Sequence, residues 1–576
     1  MKSEFSTFQD RIGELETGFA DPFAPDNPLG FRRILEADEQ AEPFKDGEAF
    51  LDDYGLNAEF VPAELGGRLT RLDELVEVMR AVYRRDPCMG LGYGASSFIS
   101  AVNVWTAGNT EQQRTTADWL LANRKVAACY HELAHGNDMA RTDFQAVPGP
   151  SGLVLNGRKE VVTNIRRSDA LVLFARTDSK AGTRSHSQLL VDKADLAADR
   201  ITHLPRFRTA GMRGVQLGGI EFRDCPLPAG AVMGEPGQGM ETAIRSFQIT
   251  RTTLVSMFTG VLDTGLRITL RHARTRPLYG RTAADLPHVR SVVTGAFADL
   301  LLCDGFATVA TRALHLLPAE TSVYAQAVKF SVSKVLMDAM SRLSGVLGAH
   351  FYIRQGEAAI FQKMLRDIQP AGFGHAARAV CQVGLLPYLP LLARRSWRGG
   401  TTPAPAELFQ LDRDLPPLLF DRLTVSASGR ERLSSELAAG LDDLPEGGDH
   451  ITRELRSSAQ HFAAELRELA DVCEKLPPGE LSVTADSAAY DLVTRYTRVL
   501  AAAACFGIWR HNRRHSDPFL RDPVWAAAAL HRLRAPIGAP MPSLPEHLER
   551  PLYEELTRRL DSSRGFGLGS LALSPS

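Results

Sequence analysis

The chain has 576 residues, of which 44% are hydrophobic and 23% charged, as in an ordinary globular protein. At about 100–200 residues per domain, this length predicts about three to five domains. The 66 basic and 68 acidic residues leave a net charge of -2, which argues against a globally basic nucleic-acid-binding protein. No nucleic-acid partner is therefore expected.

The cysteines and the N-terminus indicate a reducing compartment. The 7 cysteines are scattered and form no C-x-x-C pair, so neither a disulfide framework nor a cysteine zinc site is indicated. The first residues, MKSEFSTFQDRIGELE, lack the apolar core of a signal peptide. Ala501–Trp509, among the longest apolar runs, is shorter than the ~18 residues of a membrane span. We expect a cytoplasmic protein without a membrane span.

The hydrophobic pattern changes along the chain and predicts four domains. Residues 1–125 form an N-terminal helical domain, in which Leu72, Leu75, Val76, Met79 and Val82 recur at spacings of three and four. Residues 126–233 form a β-domain, 234–385 a helical bundle and 386–576 an additional helical extension. The predicted strands are short runs between turn residues: Gly152–Asn156, Asp169–Arg176, Gln188–Val191 and Gly219–Phe222.

The extension has three features of its own. Prolines and Gly399–Gly400 make 385–418 resemble a linker, which favours a domain boundary there. Apolar residues from Ile451 to Leu476 alternate steps of four and three. This spacing favours an amphipathic helix on the core of its own domain over a seam that pairs with another helix. The tail RGFGLGSLALSPS is expected to fray.

One short motif suggests a metal. His131, Glu132 and His135 fit H-E-x-x-H, in which two histidines on one helix face bind zinc and the glutamate acts as a base. The third histidine of the extended motif is absent, and the segment lies at the change from helix to strand. A zinc peptidase is therefore the remote alternative.

Several short motifs follow one another in a defined order between residues 51 and 367. In chain order they are LDDYGLNAEFVPAELGGRL, GNTEQQRTTADWLLANRKVAACYHELAHGND, LVLNGRKEVVTNI, GMRGVQLGGIEFRDCPLPAGAVMGEPGQGM, RTRPLYGR and FQKMLRD. Together they resemble the acyl-CoA dehydrogenase family. On this resemblance Glu132 takes the place of the glutamate in the family's T-E-P motif and His131 that of its threonine, and no metal is expected.

The resemblance implies a mainly α fold in which a helical domain, a central β-barrel and a four-helix bundle are followed here by the helical C-terminal extension. It implies FAD held between barrel and bundle, in a homodimer or homotetramer. The substrate it implies is an acyl thioester of CoA or of an acyl carrier protein.

The resemblance also assigns site residues by position. Tyr130, His131, Gly136 and Asn137 fall on the flavin loop, and Thr163 keeps the hydroxyl beside the flavin. Val161 replaces the family's shielding tryptophan. Arg276 and Tyr279 match the pair that reaches the FAD of the neighbouring subunit, because an arginine fork suits a pyrophosphate. Gly348 falls on the glycine pair, broken here to Gly348–Ala349. Arg251 matches the substrate-side arginine.

The catalytic base departs from the family's pattern. The family removes the α-proton of the thioester with a carboxylate from one of two positions, which are occupied here by His375 and Thr250. Three explanations stay open. His375 serves as the base, a carboxylate such as Glu357 or Asp367 has been recruited, or the protein no longer desaturates thioesters. In the third case it would be a monooxygenase-like relative or a catalytically inert scaffold. We predict an FAD-dependent acyl-thioester dehydrogenase with His375 as the catalytic residue.

Overall fold

The computed structural model of the protein describes residues 7–150, 152–180, 182–398, 402–445 and 447–574. The N-terminal region consists of helices α1 (Phe8–Phe19), α2 (Phe31–Gln40), α3 (Lys45–Tyr54), α4 (Leu72–Arg85), α5 (Ser96–Ala107) and α6 (Thr110–Leu121). The periodic residues of α4 are buried, because a 3.6-residue repeat places them on one face: Leu72, Leu75, Val76, Met79 and Val82. The predicted helix is therefore confirmed.

A sheet follows the helices. Its strands are β1 (Val126–Cys129), β2 (Gln145–Gly149), β3 (Gly152–Thr163), β4 (Ala170–Arg176), β5 (His186–Asp192), β6 (Ile201–His203), β7 (Leu217–Leu227) and β8 (Val232–Met233). Their order is β6-β7-β3-β2-β4-β5-β8, and β1 pairs with β4. The β1–β4 and β2–β4 pairs are parallel and the others antiparallel. The four predicted strands overlap β3, β4, β5 and β7.

The predicted closure of this sheet into a barrel is not found. Among the described residues the sheet is open, with β6 and β8 at its two edges and no ladder between them. β6 has 3 residues and β8 has 2. Such short strands offer too few backbone N–H and C=O groups to join the edges.

The predicted helical bundle is formed by four long helices that pack against one another. Its elements, with the hairpin that joins the second helix to the third, are α7 (Gly239–Met257), α8 (Thr259–Thr275), β9 (Pro277–Leu278), β10 (Arg281–Thr282), α9 (Pro287–Leu316) and α10 (Thr321–Leu347). Shorter helices follow: α11 (Ala359–Asp367), α12 (Pro370–Phe373), α13 (Arg378–Leu385) and α14 (Leu389–Leu392). A small buried cluster connects the sheet to α7: Tyr130, Phe174, Ala243 and Phe247.

The extension packs on the bundle. Its helices are α15 (Ser435–Gly440), α16 (His450–Cys473), α17 (Ser487–His511), α18 (Pro518–Arg521), α19 (Pro523–Leu533) and α20 (Glu546–Asp561). Helices α17, α19 and α20 contact α9, and α16 packs on α17 and α19 of its own region. The apolar face of α16 is thus an internal core face, which confirms the preferred interpretation. Arg532 on α19 makes two hydrogen bonds of 2.7 Å to the buried carboxylate of Asp299 on α9.

The predicted linker is packed where the structure describes it. Leu389, Leu392, Leu408 and Phe409 are fully buried in the main core. Gly399–Gly400 lies outside the described residues. The four-domain division therefore stays a prediction, but the chain around its last boundary is not a free connection.

The expectation that the tail frays is wrong for residues 564–574. Phe566 is fully buried, and its N–H donates to Asp263 Oδ2 at 2.8 Å. The N–H of Leu568 donates to Asp304 Oδ2 at 2.6 Å. The alternation of glycine with large residues explains this docking, because a Cβ at Gly567 would lie 2.8 Å from Asp304 Oδ2. Residues 575–576 lie outside the described residues.

Two stretches of the described chain, Pro287–Leu316 and Ala359–Trp397, are long and apolar enough to cross a membrane by length and composition alone. The most apolar window of the first is 89% buried inside the protein, and that of the second is 44% buried. Because the first stretch is the central helix α9, packing in the core explains its apolar character. The expected absence of a membrane span stays a prediction.

Candidate functional site

The loop between α12 and α13 presents His375 at the side of the bundle. Its backbone has a φ of +63°, in the left-handed region that costs most non-glycine residues free energy. Lys329, which is buried on α10, donates from Nζ to the carbonyl of Gly374 at 2.9 Å. A lysine from the bundle thus holds the strained backbone that aims the histidine ring.

Helix α7 supplies the neighbours of this ring. The Thr250 hydroxyl is hydrogen-bonded to His375 Nε2. The ring of Phe247 packs edge-on against the imidazole, with 4.5 Å between ring centroids. Thr250 and His375 occupy the two positions from which the sequence comparison expects a base. The fold therefore brings both positions to one place, and only His375 there carries a basic atom.

The charge around His375 is positive. Burial, followed by the nearby Arg251, Lys329 and His131, holds the pKa of His375 well below its ordinary value. Burial also lowers the pKa of Lys329 to about 8, and Arg251 adds to that effect. The guanidinium of Arg251 lies over the Phe247 ring, 5.1 Å from its centroid. His375 is therefore a neutral imidazole at pH 7, as a proton acceptor must be.

The two alternative carboxylates have other partners. Asp367 is buried, forms ion pairs with Lys363 at 2.8 Å and Arg366 at 3.1 Å, and accepts a hydrogen bond from the backbone N–H of Met212. The side chain of Glu357 is 67% exposed and lies 3.5 Å from Arg271. No described contact joins either carboxylate to His375. Their surroundings explain both as structural or surface groups, which leaves His375 as the candidate base.

The loop after β1 contains four of the predicted cofactor residues. Tyr130 is buried, donates to Asn103 Oδ1 at 2.6 Å and stacks on Phe174. His131 is half-buried, and its Nδ1 lies 3.1 Å from the carbonyl oxygen of Gly136. Gly136 and Asn137 are exposed, and a Cβ at Gly136 would meet no atom within 4 Å. Tyr130 therefore anchors the loop in the core, and the exposed backbone of Gly136 and Asn137 is accessible to a ligand.

The H-E-x-x-H motif does not form the helical zinc site that the remote alternative, a zinc peptidase, would need. Its residues lie in turns rather than on a helix, so the two histidines share no helix face. Glu132 is paired with the fully buried Lys159 at 2.8 Å, which holds the pKa of Glu132 below its ordinary value although burial acts to raise it. His135 lies within 4.8 Å of Glu132 and Asp143, but His131 is not part of that group. Glu132 is a structural ion-pair partner.

Val161 and Thr163 are half-buried at the end of β3. They follow Glu160, whose backbone N–H donates to the carbonyl of His131 in the loop after β1 at 3.0 Å. Between Lys159 and Val162 the β3–β7 ladder shifts register, which re-aims this end of the strand. The Thr163 hydroxyl has no hydrogen-bond partner among the described residues. It is a free donor and acceptor at the position expected beside a flavin.

Arg276, Tyr279 and Gly348 lie at a second place, at the ends of α8 and α10. Tyr279 is 89% exposed on the hairpin turn, and Gly348 has a φ of +55° with open space around it. The rings of His272 and His350, 4.7 Å apart, connect the two helix ends, and the charge of Arg276 acts on His272. A cavity of about 230 Å³ lies beside both histidines. No described contact joins this second place to His375, as expected if these residues serve a neighbouring subunit.

The sequence reasoning missed Lys329 and Phe247. In the sequence, Phe247 cannot be distinguished from the other apolar residues of α7. Lys329 could have been found, because it lies between Val328 and Phe330 in an apolar helical stretch whose residues are all buried. A lysine at such a position is rare without a partner or a function.

Comparison with known proteins finds relatives of the part of the chain that contains these residues. A model of the middle domain of acyl-CoA dehydrogenases matches residues 127–225, and a model of their C-terminal domain matches residues 237–375. The chain is 23% identical over 324 residues to mitochondrial isovaleryl-CoA dehydrogenase of Oryza sativa subsp. japonica, an alignment that covers 55% of this chain and 76% of the relative. Two further curated relatives are aligned over 60% and 65% of their own lengths.

Two solved structures share the fold. The prolyl acyl carrier protein oxidase AnaB superposes with a TM-score of 0.60 at 16% identity, covering 67% of this chain and 99% of its own. The FAD complex of PigA superposes with a TM-score of 0.60 at 16% identity, covering 68% and 99%. In both cases about a third of this chain lies outside the superposition.

Proposed function

This chain belongs to the acyl-CoA dehydrogenase family of oxidoreductases, and we propose that it is an FAD-dependent enzyme that removes hydrogen from Cα and Cβ of an acyl thioester. The thioester is carried by CoA or by an acyl carrier protein. The observation that carries the proposal is the contact between His375 and Thr250. These two residues occupy the family's two alternative positions for the catalytic base, and both lie within the part of the chain that matches the family.

The residues of the two places fit FAD. The open backbone at Gly136 and Asn137, His131, the unclaimed hydroxyl of Thr163 and the buried Tyr130 would hold the ring system, with Val161 beside it. Arg276, which has no ion-pair partner among the described residues, would hold the phosphates of the neighbouring subunit's cofactor with Tyr279 and Gly348. When bound, FAD supplies the acceptor for the hydride that leaves Cβ. This division implies a homodimer or homotetramer.

His375 accepts the α-proton in this proposal. In this proposal the Thr250 hydroxyl donates to the carbonyl oxygen of Ser246, which lies 3.4 Å from Thr250 Oγ1. His375 then carries its own hydrogen on Nε2 and donates it to Thr250 Oγ1, which leaves the lone pair of Nδ1 free. Thr250 thus fixes the tautomer, and Nδ1 is the atom that receives the proton.

Absorbance spectroscopy tests this function. The purified protein should show a bound flavin spectrum, and a panel of saturated acyl-CoAs added without oxygen should bleach it. Bound flavin that stays oxidised with every acyl-CoA would redirect the proposal to carrier-bound substrates or to oxygen chemistry. A colourless protein that cannot be reconstituted with FAD would contradict the enzyme and favour a scaffold.

A further inference from the structure

The side chains around His375 carry positive charges that no neighbouring carboxylate neutralises among the described residues. Arg251 and Lys329 both act on the His375 ring, and His131 approaches it from the loop after β1. Cys381, which also lies close to Arg251 and Lys329, is a buried neutral thiol whose pKa burial raises. Among the described residues, no carboxylate forms an ion pair with Arg251 or Lys329. We refer to the charged Arg251 and Lys329, together with the neutral His375 beside them, as the cationic cluster.

An unbalanced cluster of this kind is costly. Lys329 is 2% exposed, so its ammonium loses nearly all of its hydration and gains only the Gly374 carbonyl as a partner. The Nε of Arg251 is buried without a hydrogen-bond partner among the described residues. A buried charge normally has a counter-ion, and removing that partner is strongly destabilising. The cluster therefore has the properties of a site whose counter-ion is a ligand.

The cluster is within reach of a ligand. Arg251 and His375 are half-buried rather than enclosed, and the nearby Phe373 is 62% exposed. Phe247 provides an apolar wall that contacts both the guanidinium and the imidazole. An arginine fork, an ammonium and an apolar wall together suit a carboxylate at the end of a short alkyl chain.

From this geometry we infer that the cationic cluster binds a carboxylate carried by the acyl group of the substrate. The inference rests on the proposed function, because it names the class of thioester that the site accepts: one derived from a dicarboxylic acid. The bound carboxylate supplies the missing counter-charge. By doing so it also raises the pKa of His375 and makes the neutral imidazole a stronger base when the substrate is present.

Calorimetric binding to the FAD-loaded protein at pH 7 tests the inference without any turnover. The matched ligands are S-(4-carboxybutyl)pantetheine and its primary amide, thioethers with equal chains that cannot be dehydrogenated as thioesters. Pantetheine is common to CoA and carrier proteins, so the comparison does not depend on the carrier. We expect the carboxylate to bind about 10- to 100-fold more tightly than the amide, as for charge-assisted hydrogen bonds.

Three variants test whether the preference for the carboxylate over the amide arises from the cationic cluster. Arg251→Gln and Lys329→Met should reduce it to within about 2-fold, because each removes one charge from the cluster. Lys334→Gln is the matched control, since Lys334 is an exposed lysine on the same helix and pairs with Asp338. It should keep the full preference. Because the wild-type ratio needs no variant, a variant that fails to fold leaves the test intact.

The other outcomes separate the inference from the function. Equal affinity of the wild-type protein for the carboxylate and the amide would overturn the inference and leave the thioester function standing. Failure of both ligands to bind would overturn the function and the inference together. Inorganic sulfate or free glutarate that binds under those conditions would assign the cluster to a free anion, which would also overturn the inference.

Discussion

At the scale of single residues, the proposed base His375 differs in charge from the carboxylate that the family resemblance implies. A carboxylate beside Arg251 and Lys329 would be stabilised in its charged form, whereas an imidazole there is stabilised in its neutral form. Both are proton acceptors at pH 7. They differ in how their activity responds to pH and in what the substrate must supply.

The pH profile follows from the lowered pKa of His375. His131, Arg251 and Lys329 face this ring, and all of them disfavour its protonated form. Because the base must be neutral, kcat/KM should stay constant as the pH falls through 6.5 and should decline only as it passes the lower pKa of His375. Stopped-flow flavin reduction from pH 5 to 8 measures this profile. The acid limb should move to higher pH in Lys329→Met, and an acid limb centred above pH 6.5 in the wild-type enzyme would contradict the assignment.

At the scale of elements, the hydrophobic periodicity predicted single helices, whereas contacts between residues distant in sequence could not be predicted from it. The spacing of Leu72, Leu75 and Val76 was enough for α4, because a helix face depends only on residues of that helix. The tail could not be predicted, since its order depends on Asp263 and Asp304, which are distant in sequence. The role of Glu132 also depends on a residue distant in sequence, because its ion-pair partner is Lys159 on β3.

The docked tail gives a stability prediction. Phe566 is fully buried, and its ring lies 4.4 Å from the guanidinium carbon of Arg267. Phe566→Ala should lower the free energy of unfolding by about 3–5 kcal/mol, the usual cost of emptying a buried aromatic site. Chemical denaturation monitored by circular dichroism measures it. Val483→Ala, at a side chain that is 74% exposed, is the control and should change stability by less than about 0.5 kcal/mol. Equal stability of the two variants would show that the tail is not docked.

At the scale of the whole molecule, the extension is part of the core rather than an appendage. Helix α9 is covered on one side by the bundle and on another by α17, α19 and α20. The linker-like composition of 385–418 indicated a boundary, but composition does not report burial, and Leu408 and Phe409 are fully buried. The order of the domains was predicted from the family resemblance. The open edges of the sheet and the packing of the extension on the bundle could be seen only in the structure.

A truncation tests this arrangement. A fragment of residues 1–385 should be insoluble or largely unfolded, because it exposes the apolar face of α9 and leaves the buried Asp299 with Arg342 but without the two hydrogen bonds from Arg532. The full chain should unfold α9 and the extension in a single calorimetric transition. A soluble fragment that retains its helical content and melts cooperatively would contradict this prediction.

Proton abstraction by His375 is the central claim, and exchange of the α-proton tests it most directly. The FAD-loaded protein is incubated without oxygen in D2O with saturated acyl-CoAs, including glutaryl-CoA, and NMR follows loss of the α-proton signal. We predict exchange by the wild-type enzyme and a rate about 10²- to 10⁴-fold lower in His375→Asn, since asparagine tolerates the left-handed backbone but cannot accept the proton. Exchange at the wild-type rate in His375→Asn would contradict the account.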